Sequence, residues 1–194
     1  MSFDEPINTL LAQLEPTDPS EASQLTAKVR EQIKSIADPY REKRGQIGLF
    51  TGAHGTGKTL AARVLGSKLG YDIFRVDLAA VTSKHIGEPE KILSSQLDTA
   101  SLQDVVLLFD EADSLFGKRN DIDSTNDRYA NPDKNYLLER IEAFKGLVIL
   151  TTNSRNDLDQ VILGKLAWVV DFASPAPKRR RSWWERVLGW FRNS

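Results

Sequence analysis

Residues 52–59 read Gly-Ala-His-Gly-Thr-Gly-Lys-Thr and match the pattern G-x-x-x-x-G-K-[ST] at every position. The residues on either side fit as well, since 46–51 predict a strand that enters this segment and 58–69 predict a helix that leaves it. Glycines let the backbone wrap an anion without Cβ atoms in the way, so that successive N–H groups point inward. The segment therefore predicts a phosphate-binding loop and restricts the chain to an α/β fold.

The loop also predicts which parts of a nucleoside triphosphate each residue holds. The following helix presents its positive N-terminal end to the phosphates. We expect Lys58 to reach the β- and γ-phosphates and the hydroxyl of Thr59 to ligate Mg²⁺. The alternative is a glycine-rich turn that only caps a helix. The predicted nucleotide-binding residues are Gly52, Ala53, His54, Gly55, Thr56, Gly57, Lys58, Thr59 and Leu60.

Composition limits the class of protein. The chain has 194 residues, 40% hydrophobic and 27% charged, which suits one globular domain with short appendages. Its net charge of −1 gives no overall field that favours nucleic acid. Cysteine is absent, which excludes disulfides, cysteine-ligated zinc and a thiol nucleophile. Because the sequence shows neither a signal-peptide pattern nor an apolar run of about 18 residues, we expect a cytoplasmic protein.

The hydrophobic pattern divides the chain into an N-terminal helical extension at 1–44, a core at 45–175 and a basic, tryptophan-rich C-terminal helix at 176–194. Continuous runs of Val, Ile, Leu and Phe in the core are typical of parallel strands buried on both faces. The predicted fold class is α/β, a P-loop NTPase with a parallel five-stranded sheet and helices on both faces. Strands are predicted at 46–51, 73–77, 105–110, 147–152 and 168–172, and helices near 58–69, 89–99 and 133–144.

The N-terminal extension contains no strand-like run. Its apolar residues recur at helical spacing, and we expect a helix that begins near Pro19 and ends at Pro39. The residues that carry this pattern are Leu25, Val29, Ile33 and Ile36.

Two carboxylates and an amide follow predicted strands downstream of the loop. Asp110 and Glu111 end one apolar run, and Asn153 ends another. In an open parallel sheet the ligand lies outside the carboxyl ends of the strands. We therefore expect Asp110 to hold Mg²⁺ through water, Glu111 to polarise a water for attack on the γ-phosphate, and Asn153 to bridge that water and the γ-phosphate. The predicted catalytic residues are Glu111, Asn153 and Lys58, and the predicted metal ligands are Thr59 and Asp110. The alternatives are solvated acids at a turn and an asparagine with ordinary turn chemistry.

Together these motifs, in this order, resemble the AAA+ ATPases. Residues 83–91 are similar to the pore-loop segment of AAA proteins, and 113–119 and 127–131 resemble the bacterial branch found with contractile-injection and phage-tail-like gene clusters. The resemblance covers about 44 to 175. It implies ATP and Mg²⁺ as cofactors, ATP hydrolysis, a hexameric ring, and a protein partner or substrate. It also implies the same roles for the loop, the two acids and Asn153 as those predicted above from the residues.

Three features depart from the family pattern. Gly164-Lys165 stands where this branch typically has two arginines that reach the γ-phosphate of the neighbouring subunit. Lysine lacks the planar guanidinium, so we expect slow hydrolysis, with Arg155 or Arg128 as alternative donors. His85 replaces the aromatic residue of the pore loop, which argues against threading of substrate. In the short stretch after Pro175 we expect a truncated remnant of the helical lid, so the ring is an open question.

The C-terminal segment combines four consecutive basic residues with Trp183, Trp184 and Trp190. Its interpretations are a lid remnant that covers the core, a helix that docks on an anionic membrane or a partner, and a nucleic-acid-binding helix. We favour the first and do not expect nucleic acid.

Two functions of different classes stay open. One is an ATP-binding AAA+ protein with slow, Mg²⁺-dependent hydrolysis that acts on protein assemblies. The other is a nucleotide-gated binding or scaffold protein with little or no turnover. A DNA-handling module has only the basic tail behind it. A GTPase would need an Asn-Lys-x-Asp motif, which is absent, and the pair Asp110-Glu111 suits water activation better than transfer to a metabolite.

Overall fold

A computed structural model describes residues 11–18, 20–40, 45–78, 95, 97, 98, 100, 104–117 and 132–173. Within these ranges, helices pack on a six-stranded sheet. The strands are β1 Leu11–Leu14, β2 Gln46–Thr51, β3 Asp72–Val76, β4 Val105–Phe109, β5 Leu147–Thr152 and β6 Trp168–Asp171. The α-helices are α1 Ala27–Tyr40, α2 Lys58–Leu69, α3 Asp113–Phe116, α4 Pro132–Ala143 and α5 Gln160–Leu163. Two 3-10 turns lie at Glu21–Gln24 and Arg155–Asp157.

The order of strands across the sheet is β1-β3-β4-β5-β2-β6. The last five run parallel, and β1 pairs antiparallel with β3 at one edge. Phe109 pairs with Leu150, and Thr51 pairs with Thr152. Because β5 lies between β4 and β2, the carboxyl ends of these three strands lie side by side, and the segments that follow them meet at one edge of the sheet.

Apolar side chains cover both faces of the sheet. Every residue of β4 and of β5 is buried, as expected for parallel strands between two layers of helices. One face packs against α1 and α2, and the other contacts α4 and α5. Within the described residues, no helix is long and apolar enough to cross a bilayer.

The prediction of a five-stranded, fully parallel sheet is wrong at its edge, because the N-terminal extension contributes β1. This strand reads Leu-Ala-Gln-Leu and contains none of the β-branched and aromatic residues that are enriched in strands. The strand forms because it pairs with β3, about 60 residues later, and local sequence patterns do not predict that pairing. The sheet is therefore mixed.

The five predicted strands and the helix at 58–69 are present with small shifts of boundary, whereas the short helices α3 and α5 and the 3-10 turn at Arg155–Asp157 were not predicted. The periodic residues of the N-terminal helix are buried, but the helical segment divides into the 3-10 turn and α1, which runs one residue past Pro39 to Tyr40. The predicted helix at 133–144 is α4. Most of the predicted helix near 89–99 lies outside the described residues; of its neighbourhood, 95, 97, 98 and 100 are helical.

Candidate nucleotide site

The loop after β2 has the backbone that its glycines predict. Gly52, Gly55 and Gly57 have φ values of 148°, 77° and 94°, in the region that favours glycine. At Gly52 a Cβ would also overlap the carbonyl oxygen of Phe172, so no larger residue fits there. Gly57 is the N-cap of α2, and the helix begins at Lys58. The loop therefore places the N-terminal end of α2 at the edge of the sheet.

Lys58 is buried, with 9% of its surface exposed. Its ammonium donates hydrogen bonds to the carbonyl oxygens of Gly52, at 2.6 Å, and Ala53, at 3.0 Å. Burial lowers the pKa of Lys58, and the negative charges of Asp110, Asp113 and Glu111 offset part of that shift. The ammonium is therefore held by the carbonyls of the loop and interacts electrostatically with three carboxylates.

The two acids after β4 are held by β5. Thr151 Oγ1 donates to Asp110 Oδ1 at 2.6 Å and accepts from the N–H of Glu111 at 3.1 Å. Glu111 has a φ of 55°, a left-handed conformation that is uncommon for a residue with a side chain. Its carboxylate is exposed, whereas Asp110 is half-buried.

These parts enclose a cavity of about 280 Å³, close to the lower end of the range for small-molecule sites. Nine of the predicted site residues line it: His54, Gly55, Gly57, Lys58, Thr59, Leu60, Asp110, Glu111 and Asn153. The other three are part of the loop's own hydrogen bonding. The carbonyls of Gly52 and Ala53 accept from Lys58, and the hydroxyl of Thr56 donates to Ala53 at 2.8 Å.

Thr151 and Thr152 also line the cavity, and sequence reasoning missed both. The signal was present, because two hydroxyl residues interrupt an otherwise aliphatic buried strand just before Asn153. A second cavity of about 730 Å³ adjoins the first along β3. His54, Asp110 and Glu111 line both cavities and so mark their boundary.

The positions that depart from the family pattern are only partly described. Lys165 is exposed, and its ammonium lies 2.9 Å from Glu142 Oε2 on α4 of the same chain. Arg155 is exposed in the 3-10 turn after Asn153. His85, Arg128 and the C-terminal segment 176–194 lie outside the described residues.

A largely parallel sheet with a glycine-rich loop after one strand and two carboxylates after a nearby strand defines the P-loop NTPase fold. Within that class, residues 48–173 match the model of the ATPase family associated with various cellular activities (AAA), and the chain belongs to this family. The match lies inside the predicted core at 45–175; the division of the chain at those two residues stays a prediction.

Known relatives agree with this assignment. An uncharacterized AAA family ATPase, y4kL, of Sinorhizobium fredii is 35% identical over 131 residues, which are 66% of this chain and 38% of the relative. A probable 26S proteasome regulatory subunit 10B of Caenorhabditis elegans is 30% identical over 139 residues, 68% of this chain and 34% of the relative. The chain thus spans between a third and two fifths of the length of these relatives.

The crystal structure of the FIGL-1 AAA domain has a similar fold, with a TM-score of 0.69. The similarity covers 96% of this chain and 66% of that domain's chain, at 21% sequence identity. The sheet and the placement of the loop are therefore those of an AAA domain.

Proposed function

We propose that this chain binds ATP with Mg²⁺ in the 280 Å³ cavity and hydrolyses it slowly. The observation that carries the proposal is the convergence of three segments on that cavity: the loop after β2, the acids after β4 and Asn153 after β5. Membership of the AAA family, whose ATPases generally hydrolyse ATP, supports the same function.

The residues present fit a hydrated magnesium ion. Mg²⁺ prefers oxygen ligands, and the Thr59 hydroxyl and the Asp110 carboxylate both line the cavity. The ion usually keeps several waters and needs one or two carboxylates. Bound there, Mg²⁺ would neutralise charge on the phosphate oxygens.

Three side chains of the protein would bind the phosphates and position and polarise the attacking water. The Lys58 ammonium would exchange the carbonyls of Gly52 and Ala53 for phosphate oxygens, which accept stronger, charge-assisted hydrogen bonds. Glu111, with an exposed carboxylate at the boundary of the two cavities, would polarise the attacking water. Asn153 would hold that water against the γ-phosphate.

Two variants test this proposal. Lys58→Ala is expected to lose binding of a fluorescent ATP analogue. Glu111→Gln is expected to bind ATP as the unmodified chain does and to retain it about 10²–10⁴ times longer in a single-turnover assay, because the base is lost. Glu139→Gln, on the exposed side of α4, is the matched control. Equal ATP lifetimes in the unmodified chain and Glu111→Gln would refute the catalytic assignment.

A nucleotide-gated scaffold with little turnover is the second candidate, and one contact favours it. The cation at the position expected for an arginine finger, Lys165, pairs with Glu142 of its own chain. An arginine finger contributes about 10³–10⁵ in rate, so a site without one turns over slowly. Turnover per chain that rises steeply with protein concentration would argue against the scaffold, since it indicates sites completed between copies.

We further propose a protein assembly as the partner, and self-association when ATP is bound. The support is that the C. elegans relative is a probable 26S proteasome regulatory subunit, together with the resemblance of 113–119 to the contractile-injection branch. Light-scattering mass with and without Mg²⁺ and ATP tests the self-association: a mass that stays that of one chain contradicts it.

A further inference from the structure

One side chain on β5 contacts both acids of the candidate site. Thr151 is fully buried, with 0% of its surface exposed. Its hydroxyl donates to Asp110 Oδ1 at 2.6 Å and accepts from the N–H of Glu111 at 3.1 Å. Its main-chain carbonyl accepts from the N–H of Ala112 at 2.8 Å. Thr151 is thus bonded to three consecutive residues of the turn after β4.

These bonds constrain the turn in two ways. A hydroxyl has a single proton, and here that proton is directed at one oxygen of Asp110, which restrains the rotation of the carboxylate. The bond from the Glu111 N–H holds a residue whose φ of 55° costs about 1–2 kcal/mol in a residue with a Cβ. Without the hydroxyl, one oxygen of a half-buried carboxylate and a backbone N–H would each lose a partner.

The neighbouring threonine serves a different segment. Thr152 Oγ1 donates to the carbonyl of Ser154 at 3.1 Å and accepts from the N–H of Ser154 at 3.3 Å. It therefore shapes the turn that carries Asn153. The contrast shows that contact with the acids is specific to residue 151 of this pair.

We propose that Thr151 is the positioning residue of the candidate site: it orients Asp110 toward the magnesium ion and holds Glu111 in its left-handed conformation. This inference rests on the proposed function. Outer-shell groups of this kind typically contribute about 10–100-fold to metal affinity or activity. Thr151 acts through the two acids and does not itself react.

Comparison of Thr151→Val with Thr151→Ser tests the inference. Valine keeps the shape and removes the hydroxyl, whereas serine keeps the hydroxyl. Equilibrium binding of a fluorescent ATP analogue is measured with Mg²⁺ and with EDTA, and hydrolysis is measured separately. The ratio of the Kd in EDTA to the Kd in Mg²⁺ measures how much Mg²⁺ strengthens binding. For Thr151→Val we expect this ratio and kcat each to fall about 10-fold or more. The Kd in EDTA should change less than about twofold. Thr151→Ser should keep most of both.

The outcomes separate the inference from the proposed function. If the unmodified chain shows no Mg²⁺-dependent binding, the proposed function and the inference both fail. If it does, and Thr151→Val behaves like it, only the inference fails. Equal losses in the serine and valine variants would assign the effect to packing and also overturn the inference. Should Thr151→Val not fold, as judged by thermal unfolding, Thr151→Ala against Thr151→Ser makes the same comparison.

Discussion

The indole ring of Trp168 on β6 covers Gly48 on β2, its partner in the parallel register. A Cβ on residue 48 would overlap the ring. The same indole lies 5.5 Å from the ring of Phe50, which in turn contacts Phe172. Phe172 donates its N–H to the carbonyl of Thr51, immediately before the phosphate loop. The packing of Trp168 on Gly48 is therefore connected, through Phe50 and Phe172, to the strand end that precedes the candidate site.

Gly48→Ala is expected to destabilise the fold by about 1–3 kcal/mol, because the added methyl forces the indole to move. Chemical denaturation measures the change. In Gly48→Ala combined with Trp168→Leu, the smaller side chain leaves room for the methyl, so the combined loss should be less than the sum of the two single losses. Strict additivity would show that the ring does not limit residue 48.

Arg63 on α2 fastens the N-terminal segment to the core. Its Nε donates to the carbonyl of Glu15 at 2.9 Å, and its other nitrogens contact the carbonyl of Pro16 and the carboxylate of Glu21, each at 3.3 Å. Arg63→Met keeps much of the aliphatic stem and removes these bonds. We expect amide exchange at 11–17 to become about 5–30 times faster, as for a local loss of one or two kcal/mol. Arg30→Met, at an exposed position on α1, is the control, and equal exchange in the two variants would contradict this role.

The lowered pKa of Lys58 predicts a pH dependence of stability. Below the folded pKa, Lys58 is charged in both the folded and unfolded states. Between the folded pKa and the ordinary value of 10.5, the unfolded chain binds more protons than the folded one, so the free energy of unfolding rises with pH. Lys58→Met lacks this contribution. The stability of the unmodified chain relative to Lys58→Met should therefore be constant at neutral pH and increase in the alkaline range just below 10.5.

Urea denaturation at matched pH values checks this prediction, because other titrating groups cancel in the difference between the two chains. A difference that falls as pH rises would mean that the folded state favours the charged lysine, contrary to its burial.

We predict that the left-handed conformation of Glu111 lowers the stability of the fold. At a φ of 55°, Glu111→Gly should be at least as stable as Glu111→Ala, by up to about 1 kcal/mol, because glycine adopts this conformation without strain. At Glu139, within α4, the order should reverse, with alanine more stable than glycine by about 1 kcal/mol. Chemical denaturation of the four variants makes the comparison. The same order at both positions would contradict a left-handed Glu111.

Much of the fold and of the site is readable from local patterns. The loop at 52–59 and the boundaries of β2, β5 and α2 agree with the predictions to the residue. Positive φ at Gly55 and Gly57, and burial of the apolar runs, are requirements that each segment satisfies by itself. Local chemistry therefore suffices for the class of fold and for nine of the residues that line the cavity, while their catalytic roles stay predictions.

Contacts between distant segments are the part that local patterns leave open. Thr151 bonds to Asp110 across 41 residues, and Arg63 reaches Glu15 across 48. The edge strand β1 exists only because β3 pairs with it. Each depends on which strands and helices become neighbours, and chain order alone does not say that β5 lies between β4 and β2. The phosphate loop and the two acids can thus be predicted from the sequence. The contacts of Thr151 with those acids depend on the tertiary structure, because they form only when β4 and β5 pack side by side.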